Sequence, residues 1–213
     1  MDKPIVTVHG EARREIPPEQ AVFSITVSSS DRDKAALVAR ITRRAAEIDA
    51  VLDRRGPAVE RRETAGIHMS PEYNRRGKRA ETYAGSITTT VTVIDFDPLG
   101  ELLAELAAGE LTSISGPWWQ LRPGSRADAG VRGEAVTDAL DRARVYAAAV
   151  GAELDRIVEI ADAEAAPAYE LLRGAVAESD EAGAAFDLYP RQQTVEARVL
   201  LRVSITEPTV LRG

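Results

Sequence analysis

Two stretches of the chain alternate between apolar and polar residues, and they restrict the fold more than any other feature. Between Tyr83 and Val93, one face carries Ile87, Thr89 and Val91, and the other face carries serine and threonine. Near the C-terminal end, the sequence TVEARVLLRVSI alternates in the same way. A period of two is typical of a strand with one buried and one solvated face. The chain is therefore expected to build sheets that are covered on one side.

The other segments predict an α+β protein with the order β-β-α-β-β-α-β-α-β-β. The first strand, PIVTVHG, is predicted to end at Gly10, and a first long helix is predicted to begin after an N-cap at Ser30. Asp97 is the expected cap of the second helix, and Gly151 the stop of the third. Helices separate groups of strands instead of alternating with single strands. This favours mixed or mainly antiparallel sheets with helices packed on one side over a doubly wound parallel sheet.

The domain organisation follows from the length of 213 residues, which suits one large domain or two small fused ones. We expect a single domain over residues 4–206, with subdomains of about 4–110 and 111–206 as a possible division. Residues 164–191 break the pattern: they form an acidic excursion, with a short helix expected near Tyr169–Leu172. A segment of this length without a sustained period is usually functional or mobile.

Composition excludes several classes of function. The net charge of −7 and the pI of about 5.1 argue against a dominant nucleic-acid-binding role. The chain has no cysteine, which excludes disulfides, thiolate zinc sites, iron–sulfur clusters and cysteine nucleophiles. No apolar core of a signal peptide is visible in the sequence, nor a run of about 18 apolar residues that would span a membrane. These features predict a soluble, cytoplasmic protein.

The sequence offers little for catalysis or metal binding. A metal site needs three or four ligands, and the chain offers only His9 and His68 as histidines. His68 with Glu72 has helical spacing, but Pro71 places the pair in a turn. The sequence contains no G-x-S-x-G elbow, P-loop or G-x-G-x-x-G fingerprint. We therefore predict a protein that is not an enzyme and has no metal or cofactor.

Two local features stand out as candidate interaction sites. One is a predicted β-hairpin with a basic tip between two tyrosines. Its arginines and lysine suit phosphate contacts and its tyrosines suit base stacking. The favoured interpretation is instead an exposed turn kept soluble by charge, or a tip that contacts the acidic segment. The other is an adjacent tryptophan pair, whose side chains point to opposite faces of a strand. One belongs in the core, and the other is a candidate anchor for a subunit or ligand. The candidate residues are Tyr73, Arg75, Arg76, Lys78, Arg79, Tyr83, Trp118 and Trp119.

The order of several segments resembles the bacterial SIMPL-domain family, formerly called DUF541. The resemblance rests on VTVHGEA, PPEQAVFSITVSS, ETAGIHMSPEY, YAGSITTTVTVIDFDPLGELL and ISGPWWQL, and it runs over roughly residues 4–206. It implies an α+β fold, a tendency to self-associate and a loose link to envelope and oxidative stress. It implies no catalytic residue or cofactor. Many bacterial members are exported, whereas this sequence shows no leader.

The function expected from all of this is binding and assembly without catalysis. The chain is expected to form a homo-oligomer or to bind a protein partner through exposed strand edges, the hairpin and the tryptophan strand. An alternative is a small-molecule or peptide-binding module with a groove near Trp118 and Trp119. A further alternative is a weak binder of single-stranded nucleic acid through the basic tip.

Overall fold

The computed structural model describes residues 3–73, 80–163 and 186–210, and the side chains of Ala80 and Glu81 are outside the description. The described part contains seven strands and three α-helices in the predicted order. The strands are β1 (Ile5–Ile16), β2 (Gln20–Asp31), β3 (Val59–Tyr73), β4 (Ala80–Val93), β5 (Thr112–Gln120), β6 (Leu154–Asp162) and β7 (Gln193–Ile205). The helices are α1 (Lys34–Arg54), α2 (Leu99–Ala107) and α3 (Ala127–Ala149), with one 3₁₀ turn at Gly56–Ala58.

The strands form two antiparallel sheets in two compact units, so the predicted α+β class is confirmed. Sheet A has the strand order β1-β7-β6, and its unit comprises the described residues 3–17, 123–163 and 192–210. Sheet B has the order β3-β4-β2-β5, and its unit comprises 18–73, 80–122 and 186–191. The units do not divide near residue 110, because β1 pairs with β7 over its whole length, from Ile5 opposite Ser204 to Ile16 opposite Gln193.

The core of the sheet A unit depends on a close approach between α3 and β1. Buried alanines form the contact face of the helix: Ala135, Ala139, Ala143 and Ala147. Gly10 lies beneath them, and a Cβ atom at this position would come within 2.6 Å of the Ala139 Cβ and overlap the carbonyl oxygen of Ala135. Gly10 therefore does not end β1 as predicted. It allows the helix to lie close against a strand that continues to Ile16.

The core of the sheet B unit is built from larger side chains. Phe23 and Ile25 of β2 lie under Leu37 of α1 and Leu102 of α2, and all four are fully or almost fully buried. Leu188, from the described end of the predicted acidic excursion, packs against this core. Residues 164–185, including the predicted helix near Tyr169–Leu172, lie outside the described residues.

The start of α1 differs from the prediction by three residues. Asp33, rather than Ser30, is the N-cap, and its carboxylate accepts a hydrogen bond of 2.8 Å from the backbone N–H of Ala35. Ser30 is not available as a cap because β2 continues its pairing with β4 as far as Asp31 opposite Tyr83. Strand pairing thus takes precedence over a local capping pattern.

Candidate interaction surfaces

The outer edge of sheet B is the strand β3, which is 15 residues long and, among the described strands, pairs with β4 alone. Almost every residue of β3 is exposed, including Ile67 at 70% and Tyr73 at 62%. Helix α1 packs mainly over β2 and β4, and it reaches β3 through Arg62, which pairs with Asp49 and Asp53 of the helix. We call Ile67, Met69 and Tyr73 the β3 edge. It combines exposed apolar side chains with backbone groups that have no neighbouring strand.

Met69 of the β3 edge is partly held in place by its own sheet. It lies opposite Gly85 of β4, where a side chain would overlap the Met69 sulfur and approach Ile41 of α1 at 3.0 Å. The missing side chain therefore makes room for methionine beside the helix. Because Met69 is still 36% exposed, its side chain extends from the core of the unit to the exposed edge.

The basic tip of the predicted hairpin lies outside the described residues, so Arg75, Arg76, Lys78 and Arg79 have no assigned position. The hairpin strands themselves are present: β3 and β4 pair from Val59 opposite Val93 to Tyr73 opposite Ala80. The two flanking tyrosines differ. Tyr73 is exposed, whereas Tyr83 is half-buried and packs against the core of the sheet B unit. Of the pair, Tyr73 is the more accessible to a partner.

The two tryptophans of β5 lie on opposite faces of sheet B, as the alternation predicts. Trp119 lies opposite Ala21 and meets Phe96 edge to face, with ring centroids 4.9 Å apart. It packs against the core. Trp118 lies opposite Val22 on the helix-free face, on which no helix of the described residues packs, and it is half-buried. Both indoles are half-buried, and Trp118 is the one that lies outside the core cluster.

The helix-free face of sheet B carries a grid of hydroxyl groups in front of Trp118. The strand register places Ser115, Ser24 and Thr90 in one row across β5, β2 and β4. The next row consists of Ser113, Thr26 and Thr88. We call these six residues the hydroxyl platform. The sequence shows the threonine alternation of β4, but only the register brings the three strands together.

A small cavity lies on the opposite face of sheet B, between α1 and the strands. It has a volume of about 130 Å³, and its lining includes Ile48, Ile87 and Thr64. Arg62 also lines it and is held by Asp53 at 2.5 Å. Ligand pockets usually have volumes of about 300–1,000 Å³. This cavity has space for a few water molecules rather than for a cofactor.

The two histidines lie on strands, and each faces a different neighbour. His9 of β1 is opposite Leu200, and His68 of β3 is opposite Ser86. Within residues 3–73, 80–163 and 186–210, no cluster of three or more histidine, aspartate or glutamate side chains is placed to hold a metal ion. Neither histidine is therefore part of a recognisable metal centre in the described structure.

Contacts within the fold explain why the pKa values of several carboxyl groups are lowered. A hydrogen bond from the backbone N–H of Asp33 lowers the pKa of Asp31, and Arg40 adds to this effect. Lys3 and Ser204 lower the pKa of Asp155. The backbone N–H of Glu11 lowers the pKa of Asp138, at a distance of 3.0 Å. Each carboxylate joins two elements of its unit, and such ion-pair networks shift pKa values without any catalytic role.

Comparison with known proteins assigns the family. The model of the SIMPL family, described as a protein of unknown function (DUF541), matches residues 6–203. This chain belongs to the SIMPL family. The match covers nearly the whole chain and confirms the resemblance of the sequence segments. No curated protein matches this SIMPL protein.

A solved structure from Burkholderia cenocepacia, described as a candidate amidohydrolase/peptidase, is similar to part of this SIMPL protein. The two are 19% identical with a TM-score of 0.32. The matched part covers 56% of this chain but only 31% of the Burkholderia chain. In the described part of the SIMPL protein, no helix is both long and apolar enough to cross a membrane.

Proposed function

We propose that this SIMPL protein acts by binding and self-assembly rather than by catalysis, and that the β3 edge is a subunit contact. The observation that carries the proposal is a 15-residue edge strand with exposed apolar side chains and, among the described strands, only one neighbour. Long edge strands that are not blocked readily pair with a strand of another chain. We propose that β3 of a second copy of this chain pairs with it.

The distribution of charge along β3 supports this contact. Charged residues are confined to the ends of the strand: Glu60 to Glu63 at one end and Glu72 at the other. The segment between them, 64–70, carries no acidic residue, lysine or arginine and contains both Ile67 and Met69. Proteins usually protect an edge strand by placing such charges along it. The segment from Ile67 to Ser70, between the bulges at Thr64–Gly66 and Glu72–Tyr73, lacks such charges, which suits pairing with another chain.

Light scattering with matched variants tests the proposal. The unmodified protein should form a defined oligomer, and Ile67→Lys should shift the mass towards the monomer because a charge would enter the apolar contact. Val145→Lys is the control, because Val145 of α3 is 69% exposed and lies outside sheet B. An unmodified protein that is monomeric over the whole concentration range would refute self-assembly. Equal masses for Ile67→Lys and the unmodified oligomer would refute the β3 contact.

The absence of catalysis is part of the same proposal. The family is one of unknown function, and the carboxylates with lowered pKa values are bound in ion pairs and element contacts. A role in stress responses and a cytoplasmic location remain expectations from the sequence. Both concern the cell rather than the fold, and localisation of the tagged full-length protein under oxidative stress would test them.

A further inference from the structure

Met69 carries the only sulfur atom among the described residues. The chain has no cysteine, and its other methionine is Met1. Peroxides oxidise thiols and thioethers, and the thioether of methionine becomes a sulfoxide. The side chain of Met69 is 36% exposed, so a small oxidant can reach it in the separate chain. A peroxide that meets the described part of the chain is therefore expected to react at Met69.

The Met69 sulfur lies in a niche above Gly85 of β4. Gly85 is buried, and a Cβ atom at this position would overlap the sulfur. Apart from the residues next to Gly85 in the chain, the next nearest atoms are a methyl carbon of Ile41 at 3.0 Å and the carbonyl oxygen of His68 at 3.5 Å. Neither of these groups donates a hydrogen bond. The niche therefore suits a thioether, which is only weakly polar.

A sulfoxide does not suit this niche. Oxidation adds an oxygen atom that accepts hydrogen bonds, and it turns a flexible apolar side chain into a polar one. A polar group that is buried without a partner is costly, whereas water satisfies it at the surface. The oxidised side chain is therefore expected to turn away from Gly85 towards solvent. Gly85 and the methyl group of Ile41 then lose the side chain that covers them.

Met69 also lies in the part of β3 that we propose as a subunit contact, so this inference rests on that proposed function. It belongs to the segment from Ile67 to Ser70, which contains no acidic residue, lysine or arginine. In the oligomer a second copy covers this segment, so peroxide reacts with the dissociated chain. A sulfoxide at residue 69 places a polar group among the apolar side chains of the contact. Oxidation is therefore expected to keep the chain dissociated.

We propose that Met69 is a site of oxidation by peroxide and that its sulfoxide prevents the β3 edge from pairing with a second copy. The sulfur attacks one oxygen atom of hydrogen peroxide, so that an S–O bond forms and the O–O bond breaks. The other oxygen atom leaves as water after a proton transfer. The sulfur loses two electrons, and the peroxide gains them. Methionine sulfoxide reductases reverse such a step, so the modification can be removed.

Treatment of the full chain with hydrogen peroxide, followed by peptide mass spectrometry and light scattering, tests the proposal. The peptide that contains Met69 should gain one oxygen atom, and the mass in solution should shift towards the monomer, as expected for Ile67→Lys. Met69→Leu is the control, because leucine has a similar volume without sulfur. It should assemble like the unmodified protein and keep its mass after peroxide. Met69→Gln introduces a polar group without peroxide and should weaken assembly at least about tenfold.

Urea unfolding at a protein concentration at which the chain is monomeric tests the niche above Gly85 independently of assembly. Oxidation should lower the urea midpoint of the unmodified protein, and peroxide should leave the midpoint of Met69→Leu unchanged. Equal midpoints of the oxidised and reduced monomers would overturn the proposal, as would a Met69 peptide that gains no oxygen.

The mass before peroxide separates this proposal from the β3 contact. An oligomer that keeps its mass when Met69 is fully oxidised would overturn the oxidation proposal alone. A protein that is monomeric at every concentration before peroxide would refute the β3 contact and, with it, the effect of oxidation on assembly. A lowered urea midpoint would in that case still support Met69 as the oxidation site.

Discussion

Sheet A and sheet B each pack one face against helices, and they do so with different residues. In the sheet A unit, a seam of alanines on α3 meets Gly10 of β1 at close range. In the sheet B unit, Phe23 and several leucines fill the space between sheet and helices. The outer faces differ as well: ion pairs join the strands of sheet A, whereas sheet B carries hydroxyls on β2, β4 and β5 beside an ion pair of Arg61 and Glu63 on β3. The covered faces are constrained by packing, whereas the open faces are free to differ in chemistry.

The largest expected effect tests whether the covered face of sheet B determines the stability of its unit. Phe23→Ala should lower the free energy of unfolding by about 3–5 kcal/mol, because it removes a fully buried ring from the core. Val22→Ala is the neighbouring control on the helix-free face and should cost about 1 kcal/mol, since Val22 is only half-buried. Urea unfolding followed by circular dichroism measures both. Similar losses would mean that the two faces contribute alike.

The second largest expected effect tests the close approach between α3 and β1 in the sheet A unit. Gly10→Ala should lower the free energy of unfolding by about 1–3 kcal/mol, because the new methyl group has no space beneath α3. Gly66→Ala in β3 is the matched control, since nothing lies within 4 Å of a Cβ atom there. It should change stability by less than about 0.5 kcal/mol. If the two alanine variants are equally stable in urea, the helix can shift and its close packing is not a constraint.

The sequence predicted the elements well because their signals are local. The alternation in β4 and β7 assigned the buried faces, and adjacent tryptophans had to point to opposite sides of β5. Pairings between distant strands were not predictable. Nothing near Gly10 shows that β1 pairs with β7 rather than with its neighbour in sequence. The hydroxyl platform was missed for the same reason, because its rows exist only through the register of three strands.

The smallest expected effect is on stability in acid. It compares a carboxylate of the sheet A unit, Asp138, with one of the sheet B unit. Asp138 of α3 accepts a hydrogen bond from the backbone N–H of Glu11 and pairs with Arg142 at 2.9 Å. These contacts lower the pKa of Asp138 below its ordinary value of 3.8. A lowered folded-state pKa means that the stabilisation is complete above pH 3.8 and is lost as the pH falls through the folded-state value. Asp138→Asn should therefore be less stable than the unmodified protein at pH 7, and the difference should shrink as the pH falls below 3.8.

Urea unfolding of both proteins at pH 7 and at pH 2.5 measures this difference. Asp31→Asn is the comparison in the sheet B unit, where the pKa is lowered first by the backbone N–H of Asp33 and then by Arg40. Both carboxylates join a strand to a helix or its cap and have a lowered pKa, so for both variants the stability difference should shrink as the pH falls below 3.8. Hydrogen exchange assigns each loss to its unit: β1 should exchange faster in Asp138→Asn, and the start of α1 in Asp31→Asn. A difference for Asp138→Asn that persists unchanged at pH 2.5 would show that shape rather than charge joins β1 to α3.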